Sequence, residues 1–172
     1  VTNSGHVRIY NYTPSGTASW TQLGADIDGE AVSDGSGFSV SLSSDGSRVA
    51  IGAYANDGVS GSNSGHVRIY DYTPSGVTSW TQVSGDIDGE ASDDQSGWSV
   101  SLSSDGSRVA IGATLNDGNG TYSGHVRIYN YTPSGTASWT QLGADIDGEA
   151  AGDQSGRSVS LSSDGSRVAI GA

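Results

Sequence analysis

The chain has no cysteine, no methionine and no lysine, only one phenylalanine and only three prolines in 172 residues. Without cysteine, neither a disulfide framework nor thiol catalysis is available. All seven basic residues are arginine, against 19 acidic ones, for a formal charge of −12. So acidic a chain with no basic patch lacks the clustered cations that nucleic-acid phosphates require. No apolar run approaches the ~20 residues of a membrane-spanning helix. Large apolar residues are scarce: Leu, Ile, Val and Phe together number 30. Such a composition by itself leans toward disorder. Placement overrules it, because the Val and Ile residues hold strand periodicity in register through three copies of one pattern. The chain begins at Val1 without methionine, which fits a processed, excised or partial product; a mature secreted protein is the expectation.

Repetition is what the chain has in abundance. Ser64 to Gly76 reads SGHVRIYDYTPSG and recurs nearly letter for letter from Ser4 and Ser123, at offsets of 60 and 59 residues. Trp20, Trp80 and Trp139 keep step with it. So do DIDGEA from Asp26, Asp86 and Asp145, and SVSLSSDGSRVAIGA from Ser39, Ser99 and Ser158.

In the middle unit, Ser99 to Ser103 alternates serine with Val100 and Leu102, the period of a strand. Asp105-Gly106 predicts a tight hairpin turn with positive φ at both central residues. Arg108 to Ala113 returns, Asn116-Asp117-Gly118 marks a turn in the following loop, and His125 to Thr132 makes a third strand. Pro133-Ser134-Gly135 ends it, Ser138 to Leu142 makes a fourth strand around Trp139, and Asp145 to Gly156 is an acidic, Gly-rich connection. No stretch has helical periodicity.

Four antiparallel strands every 60 residues predict an all-β fold of β-propeller-type tandem blades. A β-solenoid is the competing architecture, but its rungs are shorter than this unit. One sheet face carries Val, Ile and Leu and the other mostly Ser, Ala and Gly, so large faces should seat on small ones. The array divides into a half blade at 4–31 (third and fourth strands), blades at 36–91 and 95–150, and a half blade at 155–172 (first and second strands). That makes three blade-equivalents with a split terminal blade.

The order Trp139-Thr140-Gln141, Asp147-Gly148-Glu149-Ala150, Gly152-Asp153-Gln154-Ser155-Gly156, Ser158-Val159-Ser160-Leu161 and Val168-Ala169-Ile170-Gly171-Ala172 resembles FG-GAP repeats, those of integrin-α-like β-propellers. Two features depart from them. The Phe-Gly pair reads Ser36-Gly37, Ser96-Gly97 and Ser155-Gly156, with the aromatic one place later (Phe38, Trp98) or replaced by Arg157. The Gly-Ala-Pro end reads Gly52-Ala53-Tyr54 and Gly112-Ala113-Thr114. The resemblance implies extracellular, non-enzymatic, adhesive or scaffolding work. It also implies calcium in the first hairpin loop, but Ser-Ser-Asp-Gly-Ser offers one carboxylate there (Asp45, Asp105, Asp164), so those ligands do not carry over.

Candidate sites follow the repeat. Asp26, Asp28, Glu30 and Asp34, with Asp86, Asp88, Glu90 and Asp94, and Asp145, Asp147, Glu149 and Asp153, place oxygen ligands at alternating positions, as calcium takes them. The competing reading is a solvated turn whose Asp side chains cap local amides. No other cofactor is implied. His6, His66 and His125 start equivalent strands and could gather at one rim around a metal, though strand-edge histidines ordinarily need no ligand. Asn11, Asn119 and Asn130 head N-glycosylation sequons. Trp20, Trp80 and Trp139 could stack on sugars or cover the edges of their own blades. The breaks in the repeat (Arg157, Asp71 for Asn, and Val77-Thr78 for Thr-Ala) assemble no nucleophile and base, so no catalytic residue is expected.

The half blades leave unpaired edges at both ends, marked by Val7 and Ile9 in front and Val168 and Ile170 behind. Unlike but complementary ends make a heterologous contact, which closes as a ring or runs on as a filament. The expected function is a structural, secreted or cell-surface protein that self-associates head to tail, with a two-chain six-blade ring, a three-chain nine-blade ring or a filament all allowed. The alternative is an adhesion module recognising carbohydrate or protein, with calcium assisting.

Overall fold

The structure is a computed structural model describing residues 2–74 and 79–172. The Val77-Thr78 departure lies outside the described residues. Among those described there are sixteen strands and no helix: β1 (His6–Val7), β2 (Tyr10–Thr13), β3 (Ser19–Gln22), β4 (Ile27–Asp28), β5 (Ser39–Leu42), β6 (Arg48–Ala53), β7 (His66–Thr73), β8 (Ser79–Gln82), β9 (Ile87–Asp88), β10 (Ser96–Leu102), β11 (Arg108–Ala113), β12 (His125–Thr132), β13 (Ser138–Gln141), β14 (Ile146–Asp147), β15 (Ser158–Leu161) and β16 (Val168–Gly171). All strand pairing is antiparallel. The chain thus has the all-β, blade-like repeat fold that its alternation predicts.

Two complete sheets lie in the middle, ordered β5-β6-β7-β8 and β10-β11-β12-β13. Each has a fifth member that the sequence reading missed. The acidic connection contains β9 or β14, which returns to the long third strand, so that His66 faces Asp88 and His125 faces Asp147. The fourth strand is therefore one edge in two pieces, interrupted where Ser84 and Gly143 take positive φ. In front stand only β1 with β4 and β2 with β3; behind stands only the hairpin β15-β16.

The hairpin turn also differs from its prediction. Gly46, Gly106 and Gly165 have positive φ, but Asp45, Asp105 and Asp164 do not. Gly46 N–H bonds back to the Ser43 carbonyl at 2.9 Å, placing the aspartate at an ordinary turn position. Its carboxylate then accepts from its neighbours. Asp45 Oδ1 receives Ser43 Oγ at 2.7 Å and Ser47 N at 3.0 Å. The Ser47 amide, first among these donors, and the serine hydroxyls hold the Asp45 carboxyl down to about 2, below its ordinary 3.8. The Ser162 hydroxyl does most to put Asp164 at about 2 as well. A depressed carboxyl stabilises the fold above its unfolded value and loses that contribution as pH falls through the folded one. NMR titration should find both groups ionising near pH 2, and hairpin stability falling only between about pH 4 and pH 2.

The cores lie between sheets. Val49, Ile51 and Tyr70 of one sheet pack on Val7, Ile9 and Ile27 in front. Val100, Leu102, Val109, Ile111 and Tyr129 of the next pack on Ala50, Val67, Ile69 and Ile87. The large-on-small scheme holds for the first hairpin alone. Its small face of Ser39, Ser41, Ala50 and Gly52 is extended by Val67 and Ile69, because Ile69 pairs Ala50 and Val67 pairs Gly52 across the sheet. A groove floored by small residues and walled by β-branched ones receives the ridge of the next sheet.

Candidate functional site

The sheet junctions draw on one set of bonds in two halves, except that Trp139 Nε1, the counterpart of Trp80 Nε1, is buried without a partner. The hairpin half runs from each sheet to the hairpin of the next. Ser39 Oγ donates to Gly97 O and Ser99 Oγ to Gly156 O, both at 2.7 Å. Leu102 N donates to Ser41 Oγ at 2.9 Å and Leu161 N to Ser101 Oγ at 3.0 Å. Ser44 N reaches Ser104 O, and Ser104 N reaches Ser163 O, at 2.8 Å. Arg48 Nη1 donates to Gly106 O at 2.9 Å and Arg108 Nη1 to Gly165 O at 3.0 Å. The other half joins third and fourth strands: Arg68 Nη2 to Asp28 O, Arg127 Nη2 to Asp88 O, and Trp80 Nε1 to Leu23 O, at 2.9–3.0 Å. The front junction has only this second half. The rear junction has only the first.

The unfinished halves are visible as exposure. Val100 and Leu102 are 8% and 7% exposed, whereas Val40 and Leu42, at the same sequence positions one unit earlier, are 53% and 49% exposed. Among the described residues, no hairpin stands in front of β5. An apolar cleft of about 450 Å³ opens there, lined by Val7, Ile9, Tyr10, Trp20, Val40, Leu42 and Val49, with Arg8. Of the expected edge residues, Val7 and Ile9 turn their side chains into the front core, while Val168 and Ile170 remain partly exposed. Arg167, counterpart of Arg48 and Arg108, has no side-chain acceptor among the described residues.

Arg48 carries one interaction its counterparts lack. Asp71 stands where the other units have Asn11 and Asn130, and it grips Arg48 bidentately at 2.6 and 2.7 Å. The guanidinium also lies 4.4 Å from the Tyr131 ring centre. Asp71→Asn should lower stability by about 1 kcal/mol, the scale for a half-exposed bidentate pair, read from urea midpoints.

The acidic residues divide into different tasks. Asp34 accepts from Ala31 N and Asn56 Nδ2, Asp94 from Ala91 N and Asn116 Nδ2, and Asp153 from Ala150 N. Asp26, Asp86 and Asp145 each receive a glutamine amide, from Gln22, Gln82 and Gln141, at 2.6 Å on Oδ1. Asp28, Asp88 and Asp147 sit on the short strands. Glu30 pairs with Arg68 at 3.3 Å and Glu90 with Arg127 at 3.2 Å; Glu149 is exposed. The hairpin loop implied by resemblance as a calcium cage does not fit that ion, since the Asp45 oxygens are already taken by Ser43 and Ser47.

What the structure does bring together crosses unit boundaries. Glu30 of one unit meets His66 and Asp86 of the next, and Glu90 meets His125 and Asp145, with ligand-type atoms all within 4.8 Å in each group. Each of these two histidines therefore falls in its own acidic cluster. Both are held below their ordinary value, chiefly by burial; Asp86 opposes that most at His66, and Asp145 at His125. His6 is exposed. The signal was present as a constant spacing, His to Asp by 20 residues in all three units.

The sequon residues differ too. Asn11 is exposed, Asn119 Nδ2 donates to Gly148 O and Glu149 O, and Asn130 Nδ2 donates to Tyr131 O. Trp20, Trp80 and Trp139 each pack against the tyrosine opposite (Tyr12, Tyr72, Tyr131) with ring centres 5.1–5.3 Å apart. Trp80 and Trp139 also reach the core shared with the preceding unit, whereas Trp20 is 68% exposed.

Stacked antiparallel sheets, one unit per 60 residues and joined by one repeated bond set, define a tandem-repeat all-β protein of the propeller-blade class. Residues 86–129 match the FG-GAP repeat family. The chain thus carries an FG-GAP repeat, and its all-β sheets agree with an FG-GAP β-propeller-type repeat protein. The match spans Asp86, Glu90 and His125. Such repeats belong to binding and adhesion domains of extracellular and surface proteins. No curated protein matches the chain. Among the described residues, no helix is long and apolar enough to cross a membrane.

Proposed function

We propose that this is a non-catalytic, extracellular structural repeat protein whose chains associate head to tail, the rear hairpin of one completing the front sheet of the next. The observation that supports this reading is the complementarity of the two unfinished junctions. Among the described residues the front sheet has no first hairpin and the rear presents one, whose sequence from Ser158 to Ala172 is identical to Ser99–Ala113. By the register of β11 on β12, β16 would pair with β1 and β2 so that Val168 faces Tyr10, Ala169 faces Ile9 and Gly171 faces Val7. Ser158 and Ser160 would then cover Val40 and Leu42, and Arg167 would gain the Gly46 carbonyl. Such an interface continues the core rather than adding a surface contact, so it should be tight.

Sedimentation across a concentration series tests the reading. Species well above the 17.4 kDa chain mass at micromolar concentration are expected, as rings or threads. A folded monomer at every concentration would refute it. A second reading, a carbohydrate- or protein-binding module, is favoured by one observation: Phe38, Tyr54 and Trp98 cluster with ring centres 4.5–5.1 Å apart, beside Arg157 and Gln154. Retention on a glycan column by a discrete oligomer, lost on Trp98→Ala, would support that alternative.

A further inference from the structure

We propose that the Glu30/His66/Asp86 and Glu90/His125/Asp145 clusters are binding sites for a divalent transition-metal ion of the zinc class, one at each sheet junction. His125 is 1% exposed, and its Nδ1 is buried without a hydrogen-bond partner. That nitrogen faces Asp145 Oδ2 at 3.7 Å and Glu90 Oε2 at 3.9 Å. Both separations are too long for hydrogen bonds. They are close to the roughly 3.4 Å edge of a tetrahedron with zinc–ligand bonds of about 2.0–2.1 Å. In the other cluster, His66 Nδ1 lies 3.6 Å from Asp86 Oδ2.

The carboxylates are aimed by outer partners, as metal ligands ordinarily are. Asp145 gives Oδ1 to Gln141 and turns Oδ2 to the imidazole; Asp86 does the same with Gln82. Glu90 gives Oε1 to Arg127 and turns Oε2 to His125. The guanidinium's charge opposes the ion, but two carboxylates outnumber it. A nitrogen ligand with only two carboxylates suits zinc-class ions; calcium takes six to eight oxygens. Each site joins a glutamate of one sheet to the next, so the ion would act as a cross-sheet clasp, with water completing its coordination. Head-to-tail association, on the reading proposed above, would form a third site from Glu149 of one copy with His6 and Asp26 of another.

The test titrates the full chain with zinc(II) by calorimetry, and with cobalt(II) for visible d–d bands. Two ions per chain are expected for dilute single chains and three for associated ones. Asp145→Asn and Glu90→Gln, partly exposed positions, should each weaken one site at least tenfold with unchanged far-UV circular dichroism. Gln141→Ala should weaken it about tenfold through aim alone. Absent cobalt bands, or zinc binding undiminished in the Asp86→Asn/Asp145→Asn double variant, would overturn the proposal, as would calcium binding in preference to zinc. Two ions at every concentration would support these two sites and overturn the third.

Discussion

Replacing Val40 and Leu42 with aspartate is expected to abolish association while leaving a folded monomer. Both side chains are about half exposed in the single chain, so carboxylates there stay hydrated and cost it little. On head-to-tail association the same positions would enter a core like that around Val100 and Leu102. Burying an unpaired carboxylate costs at least about 2 kcal/mol. Two together should weaken association roughly a thousandfold. Sedimentation should find only monomer, with an unchanged urea midpoint at low concentration. Oligomers persisting in the double variant would refute the cleft as the seat of the second copy.

The second large effect comes from a glycine that touches the neighbouring sheet. A Cβ built on Gly112 would lie 2.2 Å from Gly156 O and 2.6 Å from Ser99 Oγ; one on Gly52 would lie 2.1 Å from Gly97 O. Both glycines have ordinary φ, so the obstruction is steric and comes from backbone that cannot swing aside. Gly112→Ala must part the sheets and disturb the Ser99–Gly156 bond. About 3 kcal/mol of destabilisation is expected, a fall of roughly 6–12 °C in melting temperature for a chain this size. Gly171 is the control. Its Cβ would meet only the Ser158 hydroxyl within 3 Å, a side chain free to rotate. Gly171→Ala should leave the dilute chain's melting temperature unchanged and lower association, because the next copy's Gly37 would take the place of Gly97 and Gly156. Equal destabilisation at Gly171 and Gly112 would show that sheet contact is not the cause.

Strand positions were legible because alternation in Ser39–Leu42 and Arg48–Ala53 is a local property, written in side-chain order. The hairpin turn was legible as a turn and misread in type. Asp45, Asp105 and Asp164 gain more from accepting serine and amide hydrogens than from a left-handed backbone. The short strands β9 and β14 were missed because two residues show no period; they exist because His66 and His125 lie opposite with free backbone groups. The twelve acidic residues read alike along the chain, yet in three dimensions eight of them have different tasks: Asp34, Asp94 and Asp153 cap amides, Asp26, Asp86 and Asp145 accept from glutamine, and Glu30 and Glu90 pair with arginine.

The sequence alone determined the repeat, its length and the strand order within a unit, since all of these follow from letters adjacent along the chain. Tertiary structure decided that Val40 is exposed and Val100 buried although their neighbours are nearly the same, and that Glu90 meets His125 rather than an acid of its own turn. Burial and proximity depend on which sheet stands in front. That neighbour lies a whole unit away along the chain.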